Sequence, residues 1–445
     1  MHGGMTAALP CTLAWAILSD MKHIIYQSLA RLWRNGRFSS WDGRSLDYVK
    51  SLGADILWLT GIPRHAAGKD FVKGTAGSPY AVSDWMDTNP YLADIPDERM
   101  REFKLLVRRA HAHGLKIIID YIPNHVARDY EGTIPHFQYC DYDWTDTVKV
   151  DWSDPRTVGE MASVLRFWAA AGVDGFRCDM VQMVPPDALG QAIGLARSAY
   201  PGLMFIAEVY GLGNYRMYRD AGMDLLYDKD GCYDTLRSIC TGGAPAYGLT
   251  SQWQMIGDMQ DCMLDFLENH DEQRVAASWG SPYPWAAVAY AALFNRASFM
   301  LYSGQEAGEN ASEGVDGRTS IFDWCKPASL GRLGRSLGAR TALLPHEEDM
   351  LHRYRSILQL AASPVFADGG NWDLCYCQGT DGGFDPAKHF AFLRYGDGRI
   401  YAVFCNFSRE EARVVLNLPE EFGRQKVEAG AGPMDFAVAE LQSLV

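Results

Sequence analysis

Residues Arg101–Asp120 read REFKLLVRRAHAHGLKIIID, and this stretch decides the fold. Arg101–His113 has the periodicity of an amphipathic helix, Gly114 stops it, and Lys116-Ile-Ile-Ile-Asp120 follows as a strand. Working outward, the same alternation recurs. Upstream, Ile24-Ile-Tyr-Gln27 opens as a strand, and Leu46, Val49 and Leu52 carry a helical stripe that ends at Gly53. Ile56-Leu-Trp-Leu59 then forms the continuous apolar run that burial on both faces demands. Downstream, Val126–Asp154 breaks the rhythm with a stretch rich in Asp, Tyr and Pro, too long for a plain loop. A helix near Arg156–Ala171 and a strand over Val173–Asp179 restore it. A helix near Asp187–Ala199 leads to strands at Met204–Glu208, Met223–Tyr227, Met263–Leu267 and Ser298–Tyr302. Eight strands parted by crossover helices predict an α/β chain, a (β/α)₈ TIM barrel over 21–366. The excursion at about 126–154 is expected as a small subdomain inserted after strand 3, leaning over the site.

Past about Ala367 the pattern changes. His389-Phe-Ala-Phe-Leu-Arg-Tyr, Arg399-Ile-Tyr-Ala-Val-Phe-Cys-Asn and Ala412-Arg-Val-Val-Leu-Asn-Leu alternate with period two between turns. They predict a C-terminal antiparallel β domain over 367–445, a β-sandwich. The bulk numbers agree with 445 residues holding a barrel and one smaller domain: 48% apolar, 22% charged, with no case for disorder. A net charge of −14 argues against nucleic acid and anionic membranes as partners and fits a neutral ligand. Ten cysteines at irregular spacing read as free thiols of a cytoplasmic protein rather than a disulfide framework. Cys375 and Cys377 would share one face of a strand, with no second ligand pair nearby to make a zinc site. Residues 1–20 form an N-terminal extension: Met5–Leu18 is apolar, but it lacks a basic start and a clear cleavage site and contains Pro10. An upstream-extended start is the expected reading.

Barrel enzymes carry their chemistry at the C-terminal ends of the strands. Here those ends finish in Asp120 with Asn124-His125, in Arg177 with Asp179, in Glu208, and in Asn269-His270-Asp271. A single such Asp would ordinarily cap the following helix. Four acids, two histidines and an arginine on one rim are harder to explain that way, because gathering like charges out of water is costly. Carboxylates without metal-ligand spacing suit a reaction that develops positive charge. Glycosidic cleavage does, and it needs one carboxylate nucleophile and one proton-donating carboxylic acid. Arg177, two residues before Asp179 and on the same side of the strand, would keep that acid ionised. Asp179 is thus assigned to attack and Glu208 to acid/base work.

At these residues the sequence resembles the α-amylase superfamily, glycoside hydrolase family 13. Asp120-Tyr-Ile-Pro-Asn124-His125, Gly175-Phe-Arg177-Cys-Asp179, Phe205-Ile-Ala-Glu208 and Phe266-Leu-Glu-Asn269-His270-Asp271 match its four signature regions in order. The resemblance implies that Asp179 is the nucleophile, Glu208 the acid/base and Asp271 the transition-state stabiliser. It implies that Tyr80, in Ser78-Pro-Tyr80 near Asp84, stacks beneath the sugar at the cleavage point, and that Asp120, His125, Arg177 and His270 complete the substrate site. The implied activity is retaining hydrolysis of α-glucosidic bonds in α-glucans or maltooligosaccharides, the implied partner an oligosaccharide or polysaccharide. The alternatives are a transglycosylase of the same superfamily and a non-catalytic carbohydrate-binding or transporter-partner protein. The family's Lys-His pair after the nucleophile is replaced by Gln182 and Met183. The Asp-x-Asn-x-Asp loop of the oligo-1,6-glucosidase branch is missing near Asn35-Gly36. No cofactor is expected, with calcium at Asn124 the one metal the resemblance raises.

Overall fold

Eight parallel strands close into a barrel in the computed structural model, which describes residues 22–338 and 343–441. The expected extension 1–20 lies outside the described residues. The strands are β1 Ile24–Leu29, β2 Ile56–Thr60, β3 Lys116–Tyr121, β4 Gly175–Cys178, β5 Met204–Ala207, β6 Leu225–Tyr227, β7 Met263–Phe266 and β8 Ser298–Tyr302. Each pairs with the next, and β8 returns to β1 through Ile24↔Phe299 and Gln27↔Tyr302. Their residues are almost entirely buried because the lumen covers one face and the helices the other. Gly175 is required where β4 meets β5: a Cβ there would lie 2.5 Å from the Met204 carbonyl oxygen.

The stretch that sets the fold behaves as its periodicity predicts. Helix Arg99–Ala112 buries Phe103, Leu106, Val107 and Ala110 against the barrel. It ends in a Schellman motif, with the Leu115 amide donating to the Ala110 carbonyl at 3.0 Å and Gly114 to His111 at 2.9 Å. Gly114 itself sits at φ +71, where a side chain would be strained. Strand β6 is shorter than expected. Asp224, read as strand, spends its carboxylate on the Phe205 amide and Arg197 at the barrel floor.

After β3 the chain makes the foreseen excursion, built on the hairpin His125–Ala127 with Thr147–Lys149. A second excursion after β2 holds the hairpin Pro63–His65 with Val82–Thr88 and carries Tyr80. The last helices, Pro345–Ala361 and Pro364–Ala367, lead into an antiparallel sheet of Gly370–Asp373, His389–Gly396, Arg399–Asn406 and Phe436–Leu441. Ala412–Asn417 and Lys426–Ala431 form a separate pair beside it. Phe390 and Phe392 reach from this sheet to Tyr290 and Phe294, joining it to the barrel core. Cys375 and Cys377 lie on a single 3₁₀ turn rather than on one face of a strand, because Leu374 drops into the sheet's own core and ends the extended run. Among the described residues no helix is long and apolar enough to cross a membrane.

Candidate active site

Arg177 is wholly buried at the barrel mouth, and the rim acids are arranged around it. The rings of Trp58, Tyr80 and Tyr227 stand 5.6, 5.4 and 5.5 Å from its guanidinium carbon. These π-faces help hold a cation out of water. Its Nη1 donates to Asp179 Oδ1 at 2.6 Å and lies 3.7 Å from Asp120 Oδ1. Nη2 is 2.8 Å from Glu208 Oε2 but points off line, so that contact is an ion pair without an aligned hydrogen bond. One guanidinium therefore touches both candidate catalytic acids and favours the ionised form of Asp179 over that of Glu208.

Glu208, one residue beyond β5, has both oxygens occupied. The Tyr210 hydroxyl donates to Oε1 at 2.8 Å and the Met180 amide to Oε2 at 2.8 Å. Met180 reaches this position at φ +43, a left-handed conformation that a non-glycine residue adopts at a cost, just after the Asp179 position. Burial pushes the Glu208 carboxyl up to about 7, against the attraction of Arg177 and with help from the charges of Asp179 and Asp271. Burial also raises Asp179, opposed by Arg177 through both its charge and its hydrogen bond.

Asp271 lies at the mouth, its side chain 41% exposed, 3.0 Å from His270 Nε2. What burial it has would raise its carboxyl, but the His270 imidazole outweighs this and holds it below the usual value. His270 stacks on Tyr80 with centroids 5.3 Å apart, meets the Tyr80 hydroxyl through Nε2, and has Gln27 Nε2 2.7 Å from Nδ1. The Tyr80 hydroxyl also donates to Asp120 Oδ1 at 3.2 Å. Asp120 keeps Oδ2 buried without a partner, and burial raises its carboxyl. His125 packs against Trp144, and burial lowers its imidazole to about 4, leaving it neutral.

A cavity of about 270 Å³ opens on Asp179, Glu208, Asp271, Tyr80 and His125. His270 lines the adjoining cavity, while Asp120 and Arg177 lie beneath the floor as supports. The eight predicted residues thus converge on one place. Sequence reasoning missed Trp144, Tyr210 and Lys73, and the loop after β8 that brings Ile321 and Phe322 over the cavity. Tyr210, two residues past Glu208, carried a local signal. Phe322, deep in an irregular loop, carried none.

The comparisons with known proteins agree with this geometry. Residues 41–146 match the model of the α-amylase catalytic domain. Alpha-amylase MalA of Haloarcula japonica is 26% identical over 324 residues, 66% of this chain and 45% of that protein. Alpha-amylase 3 of Dictyoglomus thermophilum is 22% identical, over 63% of this chain and 62% of its own. The chain thus spans about half the length of the first of these curated relatives and under two thirds of the second. The crystal structure of the maltogenic α-amylase AmyB from Thermotoga neapolitana superposes with a TM-score of 0.70 at 22% identity, covering 96% of this chain and 97% of that one. Over residues 41–146 the chain is similar to the α-amylase catalytic domain, and over nearly its whole length it shares the fold of that α-amylase structure.

The calcium ion that the resemblance to the α-amylase superfamily raises at Asn124 meets an unfavourable neighbourhood here. Asn124 Oδ1 is buried without a partner and could ligate an ion. Its Nδ2 donates to Asp141 Oδ2 at 2.9 Å, but the other oxygen of Asp141 is paired with the Lys149 ammonium at 3.0 Å. A fixed cation already balances the carboxylate that would have to balance the metal. Among the described residues no three His, Cys, Asp or Glu side chains gather to hold an ion. Ca²⁺ wants six to eight oxygens, several of them carboxylate, and this set does not fit it.

Proposed function

We propose that the protein is a retaining glycoside hydrolase acting on α-glucosidic bonds of α-glucans or maltooligosaccharides. The observation that carries this reading is the shared guanidinium. Arg177 contacts Asp179 and Glu208 with two nitrogens of one planar group, and only Asp179 receives an aligned hydrogen bond. Two carboxyls drawn together with the proton divided unequally are what double displacement needs. Retaining enzymes hold their pair about 5–5.5 Å apart.

In the first step the Glu208 carboxyl gives its proton to the glycosidic oxygen as the C1–O bond breaks, and Asp179 bonds to C1 from the opposite face. In the second, ionised Glu208 takes a proton from water. That water attacks C1 and releases Asp179, so sugar and enzyme leave with their atoms balanced. Asp271 at the mouth opposes the positive charge that develops on the ring. Neutral His125 and the His270–Tyr80 pair are set to hold hydroxyls and a ring face. Incubation with maltoheptaose, pullulan, isomaltose and sucrose, followed by chromatography, tests the reading. Release of shorter glucosides from at least one supports it, and no cleavage of any rejects it in favour of a binding protein. The apolar wall of Ile321, Phe322 and Trp144 beside the acids favours a sugar acceptor competing with water. Transglycosylation is therefore the second reading, seen in the same experiment as products longer than the substrate.

A further inference from the structure

Between the loop after β1 and the helix Ala328–Ser336 lies a cavity of about 700 Å³, on the catalytic face of the barrel but outside the catalytic cavity. Arg31, Arg34, Arg37, Lys326, Arg332 and Arg335 stand around it, and no carboxylate is among its lining residues. In a chain of net charge −14, that is a local reversal of sign.

Three of these cations are already answered. Arg34 pairs with Asp42 at 2.9 Å, Arg37 lies 3.7 Å from Asp94, and Arg332 holds both oxygens of Glu347. The other three are answered less fully. Arg31 is 6% exposed; its Nη2 donates to the carbonyls of Ile321 and Asp323, while Nε and Nη1 are buried with no hydrogen-bond partner. Leaving charged donors buried and unanswered is costly, and a ligand with several acceptor oxygens would answer them. Lys326 and Arg335 are exposed, and among the described residues neither side chain has a hydrogen bond or ion pair. Arg335 Nη1 lies over Gly331, 3.4 Å from where a Cβ would stand there. Asp323 acts on Arg31 through its charge, but its oxygens are engaged by other groups, Thr75 on one and Ser320 on the other.

An intermediate space lies between the cavity and the catalytic cleft and shares lining residues with each. Trp324, Cys325 and Lys326 line both the cavity and this neighbouring space of about 820 Å³, which shares Asp271, Ile321 and Phe322 with the catalytic cavity. Trp324 is 51% exposed and is braced by Tyr91, edge-on with centroids 4.9 Å apart, and by the Arg31 guanidinium at 5.7 Å. It offers a rigid ring to a sugar between the two ends. We infer that this cavity binds a phosphate group, either carried by the outer sugar of a ligand lying along the cleft or as free orthophosphate. Arginine forks match phosphate oxygens in pairs, and Lys326 adds a point charge.

The test is calorimetric binding to the full chain at low salt, with maltose, maltose 6′-phosphate and orthophosphate as probes. The readout is binding, so the result does not depend on the hydrolytic reading, and failure of either leaves the other standing. Maltose 6′-phosphate should bind at least about tenfold tighter than maltose, the gain should shrink as salt rises, and Lys326→Ala with Arg335→Ala should abolish it. The same double variant should keep the wild-type affinity for maltose and the wild-type melting temperature. If orthophosphate binds as tightly as the phosphosugar and the double variant loses both, the phosphate site holds and its source is the free ion. Equal affinity for maltose and its phosphate with no orthophosphate binding overturns the inference. So does phosphate binding that the double variant retains.

Discussion

Two buried glutamates of this barrel, Glu208 and Glu268, have been moved alike by their surroundings but differ in their access to a cavity. Burial pushes each carboxyl up to about 7 against the attraction of a buried arginine, Arg177 for one and Arg274 for the other. Glu268 is closed on every side. Arg274 Nη1 donates to its Oε1 at 3.0 Å and the Val275 amide to its Oε2, and Arg274 is itself anchored by Thr319 and the Ser303 carbonyl. Glu208 has its own amide and hydroxyl donors, but its arginine contact is off line and its carboxyl opens on a cavity. A raised carboxyl therefore does not by itself mark a catalytic acid. Access to a substrate-sized space, and a second carboxylate sharing the same cation, make the difference.

Substitutions at the two sites should separate accordingly. Asp179→Asn, which removes the proposed nucleophile without changing volume, should lower kcat at least about a hundredfold with little change in melting temperature; a smaller loss would contradict that role. Glu208→Gln should cost about 10²–10⁴-fold on maltooligosaccharides and clearly less on an aryl α-glucoside whose acidic phenol needs little protonation. Equal losses on the two substrates would place Glu208 with Glu268 as a structural acid. Glu268→Gln should do the converse. It sets an amide NH₂ against either Arg274 Nη1 or the Val275 amide, both of which need an acceptor, so unfolding stability should fall by about 1–3 kcal/mol in chemical denaturation while the surviving folded protein keeps its substrate preference.

The pH dependence carries the same contrast. Glu208 must be protonated to donate, so kcat/KM should fall as pH rises through about 7, and Glu208→Gln should lack that limb while Glu268→Gln keeps it. For stability, both glutamates hold their proton more tightly folded than unfolded. Each contribution is complete below the ordinary glutamate range and is lost as pH rises towards about 7, with a slope of up to about 1.4 kcal/mol per pH unit per group. Glu268→Gln should flatten that slope in urea titrations run between pH 4.5 and 7. The smallest expected effect is none: EDTA should leave activity and melting temperature unchanged, since Lys149 already balances Asp141. A drop of several degrees, reversed by Ca²⁺, would show that Asn124 is a metal ligand after all.

Much of this was legible in the sequence, because burial writes itself into composition. Ile56–Thr60 and Lys116–Tyr121 are apolar on both faces, and that need is local to the strand. The rim acids were legible for the opposite reason: one charge at the end of an apolar run can be a helix cap, but several at successive strand ends of one barrel cannot all be explained that way. The loops were not. Phe322 and Trp324 reach the cleft through long-range packing, such as the Ala76 amide on the Phe322 carbonyl and Thr75 on Asp323, and no periodicity records that. The basic cavity was equally hidden, because Arg31 and Arg335 meet only in the folded chain. Likewise Lys149 faces His125 through hairpin register, which a search for metal ligands among acids could not show.

The central claim is that Asp179 forms a covalent bond with the sugar. Its most direct test is to incubate the enzyme with a fluorinated α-glucosyl fluoride that slows the second step, then digest it and map the adduct by mass spectrometry. The glucosyl mass should sit on the peptide containing Asp179 and be absent from Asp179→Asn. An adduct on Asp120, Glu208 or Asp271, or turnover that releases the inverted anomer with no adduct at all, would contradict the account.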